Sequence, residues 1–249
     1  MHLLDKDHFY VQLSITEKHF VQLSIMRILP FSYIQSTMVS KSLQYISCGI
    51  HQLGLYVPDQ ETVRQQYEHQ LQVNEETPFP YWTKVWPAAL SIVGFLAEHL
   101  EFIKDRKVLE LGAGLGLPSL FSALYAAEVC CSDYLAEAVA IVQQSAEYNK
   151  FHHMDCRVLN WQALPENIDA DTLLLSDVNY DPANFQALYQ TMHRFLENST
   201  TIILATPQRL MAKPFIQLLV PWCIEQQEIT VIHLEQPVIT MVMVLKKAN

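Results

Sequence analysis

Glycine is scarce in this 249-residue chain: there are six, where average usage of about 7% would give roughly seventeen. Three of the six stand at alternate positions in one window, Gly112, Gly114 and Gly116, so the chain concentrates glycine where bare backbone is needed. Charge is low as well, at 17% of residues against 50% hydrophobic, which excludes a mainly disordered chain. No apolar run reaches the roughly 18 residues of a membrane span, so no membrane partner is expected. Basic residues are outnumbered 16 to 26, a net charge of −10. A nucleic-acid backbone is therefore a poor partner, and a basic protein segment or a neutral small molecule a better one. The five cysteines (Cys48, Cys130, Cys131, Cys156, Cys223) are odd in number and lack framework spacing. They are expected as reduced, mostly buried thiols of a cytoplasmic protein. His152-His153 has no second cluster at zinc-ligand spacing, so no metal site is expected. No G-x-S-x-G elbow points to a hydrolase.

Three regions differ in pattern. Residues 1–37 carry VQLSI twice at an interval of ten residues, too few copies for a solenoid. This segment is expected to be an extension, either two short strands or poorly ordered chain, with Met26 or Met38 as alternative starts. Asp5 and Asp7 argue against a secretory signal. Residues 38–80 are expected to form an N-terminal cap of a hairpin, near 42–56, and a polar helix over 61–70. Residues 81–249 form the main expected domain, in which Pro87 opens a helix at its first turn. Beyond it strands and helices alternate: strands at 107–111, 129–132, 156–159, 172–176 and 201–205, with helices at 118–127, 135–149, 183–196 and 209–219. Such alternation predicts a doubly wound, mostly parallel α/β sheet. Two last strands, near 224–233 and 238–246, have no helix between them, so they join as a hairpin and make one strand antiparallel.

The glycines follow the first strand of the alternating region, at the carboxyl edge of the sheet where open α/β folds bind ligands. A dinucleotide fold requires G-x-G-x-x-G, with its third glycine at position 117; that residue is Leu117, and Gly116 falls one place early. Glu110, two places before the loop, would repel a pyrophosphate and welcome an ammonium group. A cofactor with a cationic amino acid end, S-adenosylmethionine, satisfies both conditions. Asp133, after the second strand, suits the two hydroxyls of a ribose, and also suits a helix N-cap. Asn160 and Trp161, after the third, suit an adenine; Trp161 also suits ordinary core packing.

These features resemble the seven-stranded class I S-adenosylmethionine-dependent methyltransferases. Trp86-Pro87-Ala88-Ala89, VLELGAGLGLPSL at 108–120, Leu159-Asn160-Trp161 and Ser176-Asp177-Val178-Asn179-Tyr180 narrow the resemblance to the branch of protein lysine methyltransferases with a D-x-x-Y motif after strand four. The resemblance implies that Trp86 lines the cofactor pocket and that Glu110 with Gly112, Ala113, Gly114 and Gly116 wraps the methionine part. It further implies that Asp133 holds the ribose and Trp161 the adenine, with Asn160 where the family has aspartate. Asp177 and Tyr180 are the implied catalytic pair, positioning an amine acceptor before the sulfonium methyl; the alternative for this stretch is a loop that caps the next helix. The expected activity is methyl transfer to an amine nitrogen, a protein lysine first and a small-molecule amine second. A non-catalytic nucleoside-binding scaffold is the alternative of another class.

Overall fold

The structure, a computed structural model, describes residues 13–14 and 40–247. Leu13–Ser14 (β1) pairs antiparallel with Tyr45 and Ile46 of the next strand; the remainder of the 1–37 extension, including the second VQLSI copy, lies outside the described residues. Strands Lys41–Cys48 (β2) and His51–Pro58 (β3) form the expected hairpin, and helix Gln60–Val73 (α1) follows, capped by the Asp59 carboxylate at the Thr62 N–H. Helix Pro87–Glu98 (α2) starts at Pro87 as the sequence requires and buries almost its whole surface.

The alternating region runs Lys107–Leu111 (β4), Leu117–Ser122 (α3), Glu128–Asp133 (β5), Ala136–Tyr148 (α4), Met154–Val158 (β6), Thr172–Ser176 (β7), Phe185–Glu197 (α5), Thr201–Pro207 (β8), Lys213–Leu219 (α6), Cys223–His233 (β9) and Gln236–Leu245 (β10). The sheet order is β6-β5-β4-β7-β8-β10-β9, parallel except for β10, which runs antiparallel to both neighbours. The expected α/β class is therefore the observed one, closed by the expected C-terminal hairpin. The hairpin turn has positive φ at both Leu234 and Glu235, the backbone that matches strand twist but that favours glycine or asparagine. Two expected helices are shorter than their sequence pattern: α3 stops at Ser122, and the stretch over 209–219 splits into a 3-10 turn at Leu210–Ala212 before α6.

Alternation along β4 fixes the two faces of the sheet. Val108 joins the larger core with α2, α3 and α4, while Leu109 and Leu111 join the core under α5 and α6. The β2–β3 hairpin packs on α4 and contributes Ile46, Leu53 and Leu55 to the first core. Gly54 allows that approach: a Cβ there would stand 2.3 Å from the Tyr148 ring. Its N–H and C=O are both held by the Asn149 side-chain amide. All five cysteines are free; Cys48 and Cys131 are buried, whereas Cys130, Cys156 and Cys223 are half-buried, so burial is less complete than expected. Among the described residues no helix is long and apolar enough to cross a membrane.

Candidate active site

A cavity of about 340 Å³ opens at the carboxyl edge of β4, β5, β7 and β8. This is within the range of small-molecule sites, roughly 300–1,000 Å³. Its floor is the Gly112–Gly116 loop; its sides are Asp133–Leu135, Trp161, Ser176–Val178 with Tyr180, and Arg209 with Met211. The segment from Phe79 to Trp86, ahead of α2, covers it.

The three loop glycines all have positive φ, 66°, 56° and 68°, a region that L side chains avoid. Gly116 also faces the core: a Cβ there would be 2.8 Å from Val142 and 3.0 Å from the Cys131 Sγ. Gly114 is less crowded: the nearest atom to a Cβ there would be the Trp82 Cα, at 3.6 Å. Its N–H donates to the Asp133 carboxylate at 3.0 Å, and the other Asp133 oxygen accepts from the Leu135 N–H at 3.0 Å. Burial raises the Asp133 carboxyl above its usual range, against these backbone donors. The acid predicted for a ribose thus stands on the cavity wall and ties the loop to β5.

Two residues depart from their expected places. Glu110 is not on the cavity wall. It shares the face of Val108, is fully buried, and accepts from the Ser119 N–H at 2.9 Å and the Ser119 hydroxyl at 2.5 Å. The correction has a geometric cause: alternation in β4 turns this side chain under the loop, toward the N-terminal turn of α3, where the Ser119 N–H and hydroxyl take the place of an ammonium. Burial pushes its carboxyl up to about 7. Asn160 is also off the cavity wall. Its side-chain oxygen accepts from the Gln162 N–H at 2.9 Å, capping the 3-10 turn Trp161–Ala163, so the amide serves the backbone and only Trp161 reaches the cavity.

At the end of β7, Asp177 and Tyr180 both line the cavity. Asp177 is a non-glycine residue at φ 54°, and its N–H continues the ladder to the Ala205 carbonyl. Its carboxylate does not stand open to an amine. Arg209 grips it through both oxygens, with Nη1 on Oδ1 and Nη2 on Oδ2 at 2.8 Å. Burial raises the Asp177 carboxyl, and the guanidinium opposes that rise. Tyr180 is pushed up to about 12, chiefly by burial and further by Tyr134 and Tyr81, so its hydroxyl stays protonated. The Tyr81 ring packs 5.0 Å from the Tyr180 ring and 6.2 Å from Trp86. Trp86 lines the cavity, its indole N–H on the Tyr81 carbonyl at 2.8 Å and the Lys84 ammonium 4.0 Å from its ring centroid.

Arg209, Lys84, Tyr81 and Tyr134 escape the motif reading. Arg209 had a positional signal: it follows the fifth strand of the alternating region, the same sheet edge that nominated Asp177. His152 and His153 precede β6, and the His153 Nε2 is 2.9 Å from the Ala123 carbonyl oxygen. Asn179, inside the D-x-x-Y segment, is fully buried, and neither atom of its amide has a partner among the described residues.

Residues 65–220 match the lysine methyltransferase family. The chain is 29% identical over 124 residues to a human histone-arginine methyltransferase, METTL23, covering 47% of this chain and 65% of that protein. It is 31% identical over 154 residues to a bovine protein-lysine methyltransferase, METTL21E, covering 57% and 52%. The matches thus span about half to two thirds of these relatives' lengths. Among solved structures, the T. thermophilus 16S rRNA N2 G1207 methyltransferase in complex with AdoMet and guanosine superposes with a TM-score of 0.58 at 18% identity, covering 83% of this chain and 51% of that one. A likeness at that identity establishes the fold alone. The family match covers more than half of the residues and includes the glycine loop, the β5 acid and the D-x-x-Y segment, so the chain belongs to the lysine methyltransferase family.

Proposed function

We infer that this chain transfers the methyl group of S-adenosylmethionine to a side-chain nitrogen of a protein, lysine first. The observation that carries the reading is one cavity with two chemically different ends. One end has the bare Gly114 backbone, the Asp133 carboxylate and the Trp161 ring, which fit a nucleoside; the other has Asp177, Arg209 and Tyr180, which fit a polar acceptor. The donor supplies, when bound, a methyl group activated by a sulfonium. The chain's own residues then have to position and exclude. The Gly112–Gly116 backbone and Asp133 hold the donor, the aromatic cover of Tyr81 and Trp86 keeps water out, and Tyr180 orients the acceptor through its hydroxyl. The acceptor nitrogen offers its lone pair to the methyl carbon; the N–C bond forms as the C–S bond breaks, and its electron pair remains on sulfur in S-adenosylhomocysteine.

A protein acceptor is favoured over a free amine by the cavity's rim. Phe79, Tyr81, Tyr134 and Met211 line the cavity and are 44–54% exposed, an apolar collar that a small amine would leave wet. The net charge of −10 steers a basic segment toward the chain.

The test has two stages. Calorimetric titration with S-adenosylmethionine and S-adenosylhomocysteine is expected to give micromolar binding to the wild-type chain and none to Gly114→Val at unchanged circular dichroism. A wild-type chain that binds neither at about 1 mM, a free energy of only about −4 kcal/mol, sinks the reading. Labelled methyl transfer into a cell extract then identifies the acceptor. Label in macromolecular protein, recovered after hydrolysis as methyllysine, supports the reading; label in the small-molecule fraction moves the acceptor to a free amine.

A further inference from the structure

The charged and phenolic groups that line the cavity come from four segments. Tyr81 and Lys84 precede α2, Asp133 ends β5 with Tyr134 after it, Asp177 and Tyr180 follow β7, and Arg209 follows β8. Asp181, whose charge also bears on Tyr180, is held by the Ala183 N–H and the Asn184 side-chain amide. More important is how the two carboxylates of the cavity wall are committed. Asp133 is taken by two backbone N–H groups, and both oxygens of Asp177 are filled by the Arg209 guanidinium. Tyr180 enters as a neutral hydroxyl, and the Lys84 ammonium rests over the Trp86 ring. At the end of β7, Asp177 therefore offers no open carboxylate oxygen. A lysine ammonium arriving here would meet Arg209 where an unpaired Asp177 would have drawn it in.

Such an ammonium also has no lone pair to give. The same group therefore bears on binding and on chemistry. Resting on the functional reading above, we propose that Arg209 sets the charge state of the acceptor: by filling the fork of Asp177 it excludes a cation, so the nitrogen that takes the methyl group enters uncharged. Arg209 is a specificity-determining residue in this scheme, and Asp177 is the anchor that keeps its guanidinium at the cavity. A bidentate guanidinium–carboxylate pair is well suited to this, because its planar geometry holds the cation in one place.

Sinefungin tests the charge without knowledge of the acceptor. This donor analogue carries an amine on the carbon that replaces the methyl-bearing sulfur, so the amine projects where the transferable methyl would stand. S-adenosylhomocysteine lacks that amine and serves as the reference, which removes the titration of every other group in the cavity from the ratio. The ratio of the two dissociation constants is measured by calorimetry from pH 6.5 to pH 9.5. In the wild-type chain sinefungin is expected to gain on S-adenosylhomocysteine by about tenfold as its amine loses its proton toward alkaline pH. Arg209→Gln leaves the Asp177 carboxylate unpaired. It should favour the protonated amine, raising sinefungin's relative affinity at pH 6.5 by about tenfold and flattening the pH dependence. Arg209→Lys keeps the positive charge and should follow the wild-type profile. A wild-type chain that prefers sinefungin more strongly at pH 6.5 than at pH 9.5, or a folded Arg209→Gln chain that tracks the wild type, overturns the proposal. Failure of S-adenosylhomocysteine to bind at all would instead overturn the functional reading on which it rests.

Discussion

Glu110→Gln separates two roles that one motif residue could play. The wild-type carboxyl titrates near 4.5 in an unfolded chain and is pushed up to about 7 in the fold by complete burial, which outweighs the hydrogen bonds from the Ser119 N–H and hydroxyl and from the Ser176 hydroxyl. Between those values the native state holds a proton that the unfolded chain has lost, so unfolding free energy falls as pH rises through the interval. The contribution is intact below about pH 4.5 and spent once pH exceeds the folded value. The whole rise corresponds to roughly 3 kcal/mol, of which roughly 2–3 kcal/mol lies between pH 5 and pH 8. Glutamine has the same shape, still accepts from the Ser119 N–H, and does not titrate. Urea unfolding of both proteins from pH 5 to pH 8 should therefore find the variant gaining on the wild type, by about 1 M in midpoint at the alkaline end. Asp177 is present in both proteins and cancels, and the Asp133 charge is part of what raises Glu110. A difference that stays flat, or a wild type that gains on the variant as pH rises, would refute the buried placement. S-adenosylmethionine affinity supplies the second readout. A residue beneath the loop should cost less than about tenfold on substitution, whereas a direct partner of the ammonium end should cost far more.

Two further substitutions probe the frame around the site. Asn179→Leu removes a buried amide whose two polar atoms have no partner among the described residues, so it should stabilise the chain by about 1–2 kcal/mol and raise the thermal midpoint by several degrees; a lower midpoint would reveal a partner for the amide. Gly54→Val places side-chain atoms against the Tyr148 ring, which is held by a 2.5 Å hydroxyl contact to Tyr45. Displacing that ring should cost about 1–3 kcal/mol and increase proteolysis of the β2–β3 hairpin; an unchanged urea midpoint would mean that the hairpin does not bear on α4.

The D-x-x-Y segment illustrates how a local pattern can locate a site without stating its charge. Asp177 and Tyr180 lie on the cavity wall as the resemblance implies, yet Asp177 arrives already paired. Its partner sits 32 residues downstream, after β8, and no spacing rule links the two. Glu110 is a similar case. Its identity and its distance from the glycines are plain in the sequence, but the direction of its side chain follows from strand alternation and from which helix begins beside it. Asn160 is taken by the nearest backbone donor, a competition that asparagine commonly enters ahead of a short turn.

By itself the sequence determined the order of strands and helices, the parallel sheet with its final hairpin, the glycine loop, and the acids that follow β5 and β7. These are written in local periodicity and in residues with unusual backbone freedom, which act over a few positions. Tertiary structure alone decided what surrounds each group. It put Glu110 under the loop, Gly54 against Tyr148, Arg209 onto Asp177, and the Phe79–Trp86 segment over the cavity. The physical reason is that charge and burial at a site depend on groups brought together from distant strands, and a sheet edge collects such groups only once the chain has closed.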